Sequence, residues 1–128
     1  MDRGKVVAVS ESSEQEVTVP EVDTATLEAA WRGGAAVLDV RNADEYQDKH
    51  VPGAVLVPLP QLADRIGDVP EGRPLYVICA RGSRSMQAAV AMKTQLGWDV
   101  VNVAGGTEAW AAEDRPLAQG DEPGARPA

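Results

Sequence analysis

Several short apolar runs constrain the fold of this chain more than any other feature. Residues 54–57 and 75–78 hold no charged side chain, and 35–40 and 100–103 each hold a single polar residue. Runs without regular polar alternation are typical of strands that are covered on both faces. Stretches suited to helices lie between them, as parallel strands require. The sequence therefore predicts an α/β fold with a mostly parallel central sheet of about five strands and helices on both faces.

The boundaries of the elements follow from turn residues and apolar spacing. The clearest helix is 85–96, which Ser85 can cap and Gly97 can end. Strands are predicted at 17–19, 35–40, 54–57, 75–78 and 100–103, and the other helices at 24–32, 42–49, 58–66 and 105–110.

The length and charge of the chain limit its organisation and its partners. With 128 residues there is room for one domain. Residues 1–23 hold six acidic and two basic side chains, so half of the net charge of -8 lies there. We expect a flexible acidic leader at 1–15, one domain at 16–117 and a flexible tail at 118–128. An acidic chain lacks the positive surface that a phosphate backbone requires, which argues against direct nucleic-acid binding.

Cysteine content and hydropathy bear on the cellular compartment. One cysteine cannot form a disulfide within the chain, which is usual where thiols stay reduced. No apolar run approaches the roughly 20 residues of a membrane-spanning helix. The sequence therefore predicts a cytoplasmic protein with no membrane partner.

The single cysteine, Cys79, lies between a predicted buried strand and the clearest helix. We call residues 79–85 the thiol loop. A helix N-terminus and nearby cations favour the thiolate, which is the nucleophilic form. Gly82 lets the backbone curl around the sulfur, and Arg81 and Arg84 add positive charge. An inert buried cysteine is the alternative, but two cations within five residues favour a reactive thiol that attracts a small anion.

Three ordered motifs resemble those of the single-domain rhodaneses, a family of thiosulfate and persulfide sulfurtransferases. The first six residues of the thiol loop, Cys79 to Arg84, match the family's Cys-x-x-Gly-x-Arg loop. The similarity covers most of the chain, from about residue 16 to residue 117. The other matching segments are Leu38-Asp39-Val40-Arg41, Glu45-Tyr46, His50-Val51-Pro52-Gly53-Ala54 and Gly105-Gly106-Thr107-Glu108-Ala109-Trp110.

The resemblance implies a role for each matching residue. Cys79 would be the nucleophile and would carry a persulfide. Asp39 and Arg41 would support the fold beside it, and His50 would belong to a turn, not act as a base. Glu45 and Asp48 are expected on a solvated helix face. The residues expected to bind substrate, mainly through their amides, are Ala80, Arg81, Gly82, Ser83, Arg84 and Ser85.

The reaction implied is transfer of a sulfane sulfur in two steps. A small anionic donor such as thiosulfate, or a persulfide, would load Cys79. A thiol, cyanide or a protein cysteine would then accept the sulfur. No metal or other cofactor is expected.

Two other functions remain open. A Cys-dependent phosphatase or arsenate reductase uses a Cys-x5-Arg loop, but Arg84 lies only five positions after Cys79. A docking module that carries sulfur with little small-molecule turnover would keep the same motifs.

Two departures from the family pattern lie away from the thiol. Thr107 occupies a position that is often apolar, and Glu113-Asp114-Arg115 replaces a turn that usually contains glycine. We expect them to affect local geometry and not the chemistry.

Overall fold

The computed structural model describes residues 17–126, so the leader predicted at 1–15 lies outside the described residues. Its five strands all run parallel. They are β1 (Glu21–Val22), β2 (Ala36–Asp39), β3 (Val55–Leu56), β4 (Leu75–Ile78) and β5 (Val100–Val103). Their order across the sheet is β1-β5-β4-β2-β3. The predicted α/β fold with a parallel five-stranded sheet is confirmed.

Helices cover both faces of this sheet. They are α1 (Thr24–Arg32), α2 (Ala43–Asp48), α3 (Ser83–Leu96) and α4 (Gly106–Ala112), with short 3₁₀ helices at Leu59–Gln61 and Ile66–Asp68. Alternate strand residues divide the core in two. Leu38 and Val77 pack with Met92 of α3, whereas Val37 and Ile78 pack with the α1 and α4 tryptophans. The sheet therefore lies between α3 on one side and α1 and α4 on the other.

The first strand lies later in the chain than the sequence predicts. Residues 17–19 are not a strand, and β1 begins after Pro20, where Glu21 pairs with Asn102. Proline has no N–H for the ladder, so pairing starts at its carbonyl, which accepts from Asn102 N at 2.9 Å. Val19 is still buried, which explains its apolar character.

The helix predicted at 58–66 is wrong. This segment forms one 3₁₀ turn at Leu59–Gln61 and then turns before the second. Pro58 and Pro60 remove two amide donors from any α-helix here, and the amide of Leu59 bonds back to Val40 O beyond β2 at 3.0 Å. The local bonds of the 3₁₀ turn are i to i+3, from Gln61 N to Pro58 O at 2.8 Å.

Residues 118–126 lie against the turn that precedes β3. Ala118 and His50 exchange backbone hydrogen bonds of 2.8 and 2.9 Å. The buried ring of His50 stacks on Tyr46 with centroids 3.6 Å apart, and its Nε2 lies 3.0 Å from Glu122 O. These contacts give His50 a packing role, and they tie to the domain a segment that the sequence predicts as a flexible tail. The domain boundary at 117 stays a prediction.

A buried ion pair closes the carboxyl end of β2. The Arg41 guanidinium donates to both carboxylate oxygens of Asp39, with Nε–Oδ1 at 3.0 Å and Nη2–Oδ2 at 2.8 Å. Nη2 also donates to Lys49 O at 2.7 Å, and the Arg41 amide donates to Asp39 Oδ1 at 3.0 Å. Because both side chains are almost fully buried, each ion depends on the other for its solvation.

Replacing Asp39 with asparagine should destabilise the fold strongly, because the variant leaves the Arg41 charge buried without a counter-ion. Breaking a buried pair in this way costs about 3–5 kcal/mol of unfolding free energy. Urea denaturation measures the change. The matched control is Asp68→Asn, which breaks the exposed Arg65–Asp68 pair and should cost about 1 kcal/mol or less. Equal losses in the two variants would contradict a structural role for the Asp39–Arg41 pair.

Candidate active site

The thiol loop begins where β4 ends, at the edge of the sheet where the carboxyl ends of the strands meet. Open parallel sheets bind ligands at this edge. Val40 N donates to Ile78 O at 3.0 Å, so the Asp39–Arg41 pair of the neighbouring strand lies next to the start of the loop. Cys79 itself is only 1% exposed. The fold therefore delivers one nearly buried sulfur to the expected ligand-binding edge.

Two donors converge on the Cys79 sulfur. Gly82 N–H donates to Sγ at 3.1 Å and the Ser85 hydroxyl donates at 3.2 Å. Gly82 has a φ of +112°, a left-handed conformation that side-chain-bearing residues rarely adopt. The predicted capping role of Ser85 is wrong, because α3 begins at Ser83 with Gly82 at its N-cap. The Ser85 hydroxyl is instead directed at the thiol.

Hydrogen bonding outweighs burial in setting the charge state of the thiol. Burial raises the pKa of Cys79. Hydrogen bonds from the Ser85 hydroxyl and from the amides of Ser85, Gly82 and Arg81 lower it, and the net pKa falls below the usual cysteine value. Hydrogen bonds to the charged form stabilise that form. The loop therefore stabilises the thiolate relative to that of a free cysteine, and the Ser85 hydroxyl is the largest favourable contributor.

The first turn of α4 holds the backbone of the thiol loop in place. Thr107 N donates to Cys79 O at 2.9 Å, and Glu108 N donates to Ala80 O at 3.0 Å. A Cβ at Gly106 would lie 2.5 Å from both carbonyl oxygens, so only glycine allows this approach. Gly106 of the Gly105-Gly106 motif thus allows α4 to bind the carbonyls of the first two residues of the thiol loop.

Asn102 is a site residue that the sequence analysis does not single out. It is fully buried in β5, and its Nδ2 donates to Gly82 O at 3.1 Å and to Glu21 Oε2 at 2.7 Å. It thereby holds the glycine whose amide donates to the sulfur. The sequence does contain a sign of this role: Asn102 is the one polar residue beside three valines, in a run otherwise typical of a fully buried strand.

The two loop arginines differ in their surroundings. Arg81 is exposed, and none of the ion pairs found between residues 17 and 126 involves it. Arg84 donates to both oxygens of Glu45, with Nη1–Oε1 at 2.8 Å and Nη2–Oε2 at 2.9 Å. Glu45 is therefore not part of a solvated helix face as predicted, although Asp48 is exposed. Of the two cations, Arg81 is the more exposed and has no ion-pair partner within residues 17–126.

The remaining predicted residues and the two departures have clear positions. Ala80 is half-buried and Ser83 is exposed in the first turn of α3. Asp114 has a φ of +60°, the left-handed conformation that explains why glycine suits this turn. The Thr107 hydroxyl is buried and has no hydrogen-bond partner in the described part of the chain, which fits an apolar preference there.

No group of three or more His, Cys, Asp or Glu residues able to hold a metal ion occurs within 17–126. The same range contains no helix that is both long and apolar enough to cross a bilayer.

Removing the Ser85 hydroxyl should raise the pKa of Cys79, because it deletes the largest hydrogen-bond contribution to the thiolate. The pH at which iodoacetamide alkylates Cys79 at half its maximal rate should move upward in Ser85→Ala. Hydrogen bonds to charged groups are worth about 1.5–3 kcal/mol, so the rate below this midpoint should fall about tenfold. Ser83→Ala, an exposed hydroxyl in the same helical turn, is the control. Identical pH profiles for the two variants would exclude the Ser85 hydroxyl as a thiolate donor.

Comparisons with known proteins agree with this architecture. The family model described as "Rhodanese-like domain" matches residues 23–113. YrkF of Bacillus subtilis is 35% identical over 101 residues, which cover 77% of this chain and 55% of that protein. GlpE of Pseudomonas savastanoi, named a thiosulfate sulfurtransferase, is 38% identical over 79 residues, which cover 62% of this chain and 74% of GlpE.

Among solved structures, a rhodanese-related protein from Thermoplasma volcanium superposes with a TM-score of 0.69 at 30% identity. The match covers 77% of this chain and 97% of that one. Because the family model spans more than two thirds of the chain, this protein belongs to the family of rhodanese-like domains.

Proposed function

We propose that this protein is a sulfurtransferase that moves a sulfane sulfur through a Cys79 persulfide. The observation that carries the proposal is the convergence of the Gly82 amide and the Ser85 hydroxyl on Sγ, at 3.1 and 3.2 Å. These donors stabilise the negative charge on Sγ in the resting thiolate, and again when the outer sulfur has left and Cys79 is released as a thiolate. Their geometry suits a site whose anionic atom is covalently attached to the protein.

In the first half-reaction the Cys79 thiolate attacks the outer sulfur of thiosulfate. A new S–S bond forms to Cys79 and the S–S bond of thiosulfate breaks, so that sulfite leaves with the bonding electron pair. The exposed guanidinium of Arg81 attracts the anionic donor to the loop. A low-molecular-weight persulfide would react in the same way and release a thiolate.

In the second half-reaction an acceptor attacks the outer sulfur of the persulfide. Its S–S bond breaks and the electron pair returns to Cys79, where the loop donors again hold the thiolate. Since the chain has one cysteine, the acceptor comes from outside it: a small thiol, cyanide or a protein cysteine. Neither step uses a metal or an organic cofactor, and the two-step course predicts ping-pong kinetics.

The relatives support a sulfur chemistry and leave the donor open. GlpE is named a thiosulfate sulfurtransferase, and YrkF is named as a candidate sulfur carrier. The chain spans just over half of YrkF. A carrier that loads slowly from small donors and transfers to one protein partner is therefore the second candidate. The cytoplasm, inferred from the lone cysteine, remains the proposed location.

A Cys-dependent phosphatase or arsenate reductase is less well supported. Such enzymes bind a tetrahedral oxyanion with the loop arginine, whereas here both guanidinium Nη atoms of Arg84 bond Glu45. The donors to the thiol are the Gly82 amide and the Ser85 hydroxyl, which both bond Sγ itself. The Arg84 guanidinium is not one of them.

Incubation with thiosulfate, free of reducing agents, should add one sulfur atom to the protein, because Cys79 keeps the outer sulfur when sulfite leaves. Intact mass and peptide mapping locate the addition at Cys79. Cyanide should then remove it and release thiocyanate. Cys79→Ser, which replaces the thiol with a hydroxyl of similar shape, is the control and should show neither step. Loading of the serine variant, or wild-type protein that gains no mass with thiosulfate or a persulfide, would overturn the proposal.

A further inference from the structure

The pair between Glu45 and Arg84 joins two elements that are distant in sequence. Glu45 lies in the first turn of α2 and Arg84 in the first turn of α3. The guanidinium and the carboxylate meet through two parallel hydrogen bonds of 2.8 and 2.9 Å. This bidentate form is the geometry with which arginine also binds phosphate and other oxyanions. Glu45 thus occupies the guanidinium edge that an oxyanion would use.

Glu45 is held in place from its own helix. Its Oε1 accepts the Asn42 amide at 2.9 Å, the reciprocal bond of a capping box. The Arg84 hydrogen bonds lower the pKa of Glu45 to about 2, against a smaller effect of burial that raises it. The carboxylate is therefore charged over the working pH range of most enzymes, and the pair is permanent and not a pH-dependent switch.

The Glu45–Arg84 pair affects the charge beside the thiol more than it affects the stability of the fold. Both side chains are about one-third exposed, at 33% and 32%, and exposed pairs add little to the free energy of unfolding. Arg84 lies in the first turn of α3 and directly precedes Ser85, whose hydroxyl donates to the Cys79 sulfur at 3.2 Å, so its charge is carried beside the thiol. An unpaired Arg84 would be a second cation at a helix N-terminus, which is where oxyanions bind.

We propose that Glu45 is a specificity-determining residue, which withholds Arg84 from the anion site and so weakens binding of doubly charged oxyanions, phosphate, arsenate, sulfate and thiosulfate alike, relative to a persulfide donor. The inference rests on the proposed function, in which the site must admit a sulfur donor. With the Arg84 charge neutralised by Glu45, the amides of the thiol loop and Arg81 remain available to bind the sulfur donor. Cellular phosphate then competes poorly for the loop, while the thiolate keeps its own donors.

Glu45→Gln tests the proposal as a gain of binding. Glutamine removes the charge but still accepts the Asn42 amide at this capping position. Protection of Cys79 from iodoacetamide by inorganic phosphate or sulfate measures oxyanion affinity, at constant ionic strength set with chloride. A freed guanidinium should bind these anions roughly tenfold tighter or more, since a charge-assisted hydrogen bond contributes about 1.4 kcal/mol or more and each 1.4 kcal/mol is tenfold. A complete pH profile for each variant separates binding from any change in thiolate content.

Asp44→Asn is the matched control, because it removes one negative charge from the adjacent, exposed position of the same helix. Its oxyanion affinity should stay within about twofold of the wild type, as expected for a solvent-screened charge. The double variant Glu45→Gln, Arg84→Gln should lose the gain, because the guanidinium is then absent. An equal gain in Asp44→Asn would show a general charge effect and overturn the assignment.

Unchanged or weaker protection in Glu45→Gln would also overturn the proposal, and a misfolded variant cannot imitate the expected result, which is tighter binding. The assay needs no sulfur transfer. If the wild type forms a persulfide but Glu45→Gln gains no oxyanion affinity, only the present inference fails. If Glu45→Gln gains affinity while the wild type forms no persulfide, only the proposed function fails.

Discussion

The hydrogen bonds that converge on the Cys79 sulfur are the interaction on which the rest of this site depends. A buried thiol would ordinarily stay protonated, because burial disfavours the charged form. Here hydrogen bonds from the Ser85 hydroxyl and from loop amides, that of Gly82 among them, outweigh burial and bring the pKa of Cys79 below its usual value. Their position follows from the backbone: β4 ends at Ile78 and α3 begins at Ser83, so the four intervening residues must turn sharply around the sulfur.

Much of the surrounding structure keeps that turn in shape. Asn102 binds the Gly82 carbonyl from β5, and the first turn of α4 binds the carbonyls of Cys79 and Ala80. The Asp39–Arg41 pair fills the adjacent strand end. Each contact comes from a different strand or helix of the parallel sheet. The thiol loop is thus fixed by the tertiary fold and not by its own seven residues.

The sequence predicts well what depends on local pattern and poorly what depends on long-range contact. The bounds of β4 and β5 match the prediction because their apolar runs are short and clearly ended. The helix predicted at 58–66 from its apolar spacing is wrong, because Pro58 and Pro60 lack the amide donors that an α-helix needs there. Ser85 looked like a helix cap, and only the fold shows that its hydroxyl faces Cys79. Glu45 meets Arg84 across 39 residues, which no local spacing reveals.

The depth of Cys79 also bears on how the protein withstands oxidants. With 1% of the residue exposed, two copies of the chain cannot bring their sulfurs within the roughly 2 Å of a disulfide bond. In the proposed persulfide, the outer sulfur would stand one bond further from the backbone than Sγ. The recess of the thiol therefore protects the protein against crosslinking to a second copy, and in the proposed reaction the longer persulfide side chain would extend the reach of the sulfur that is transferred.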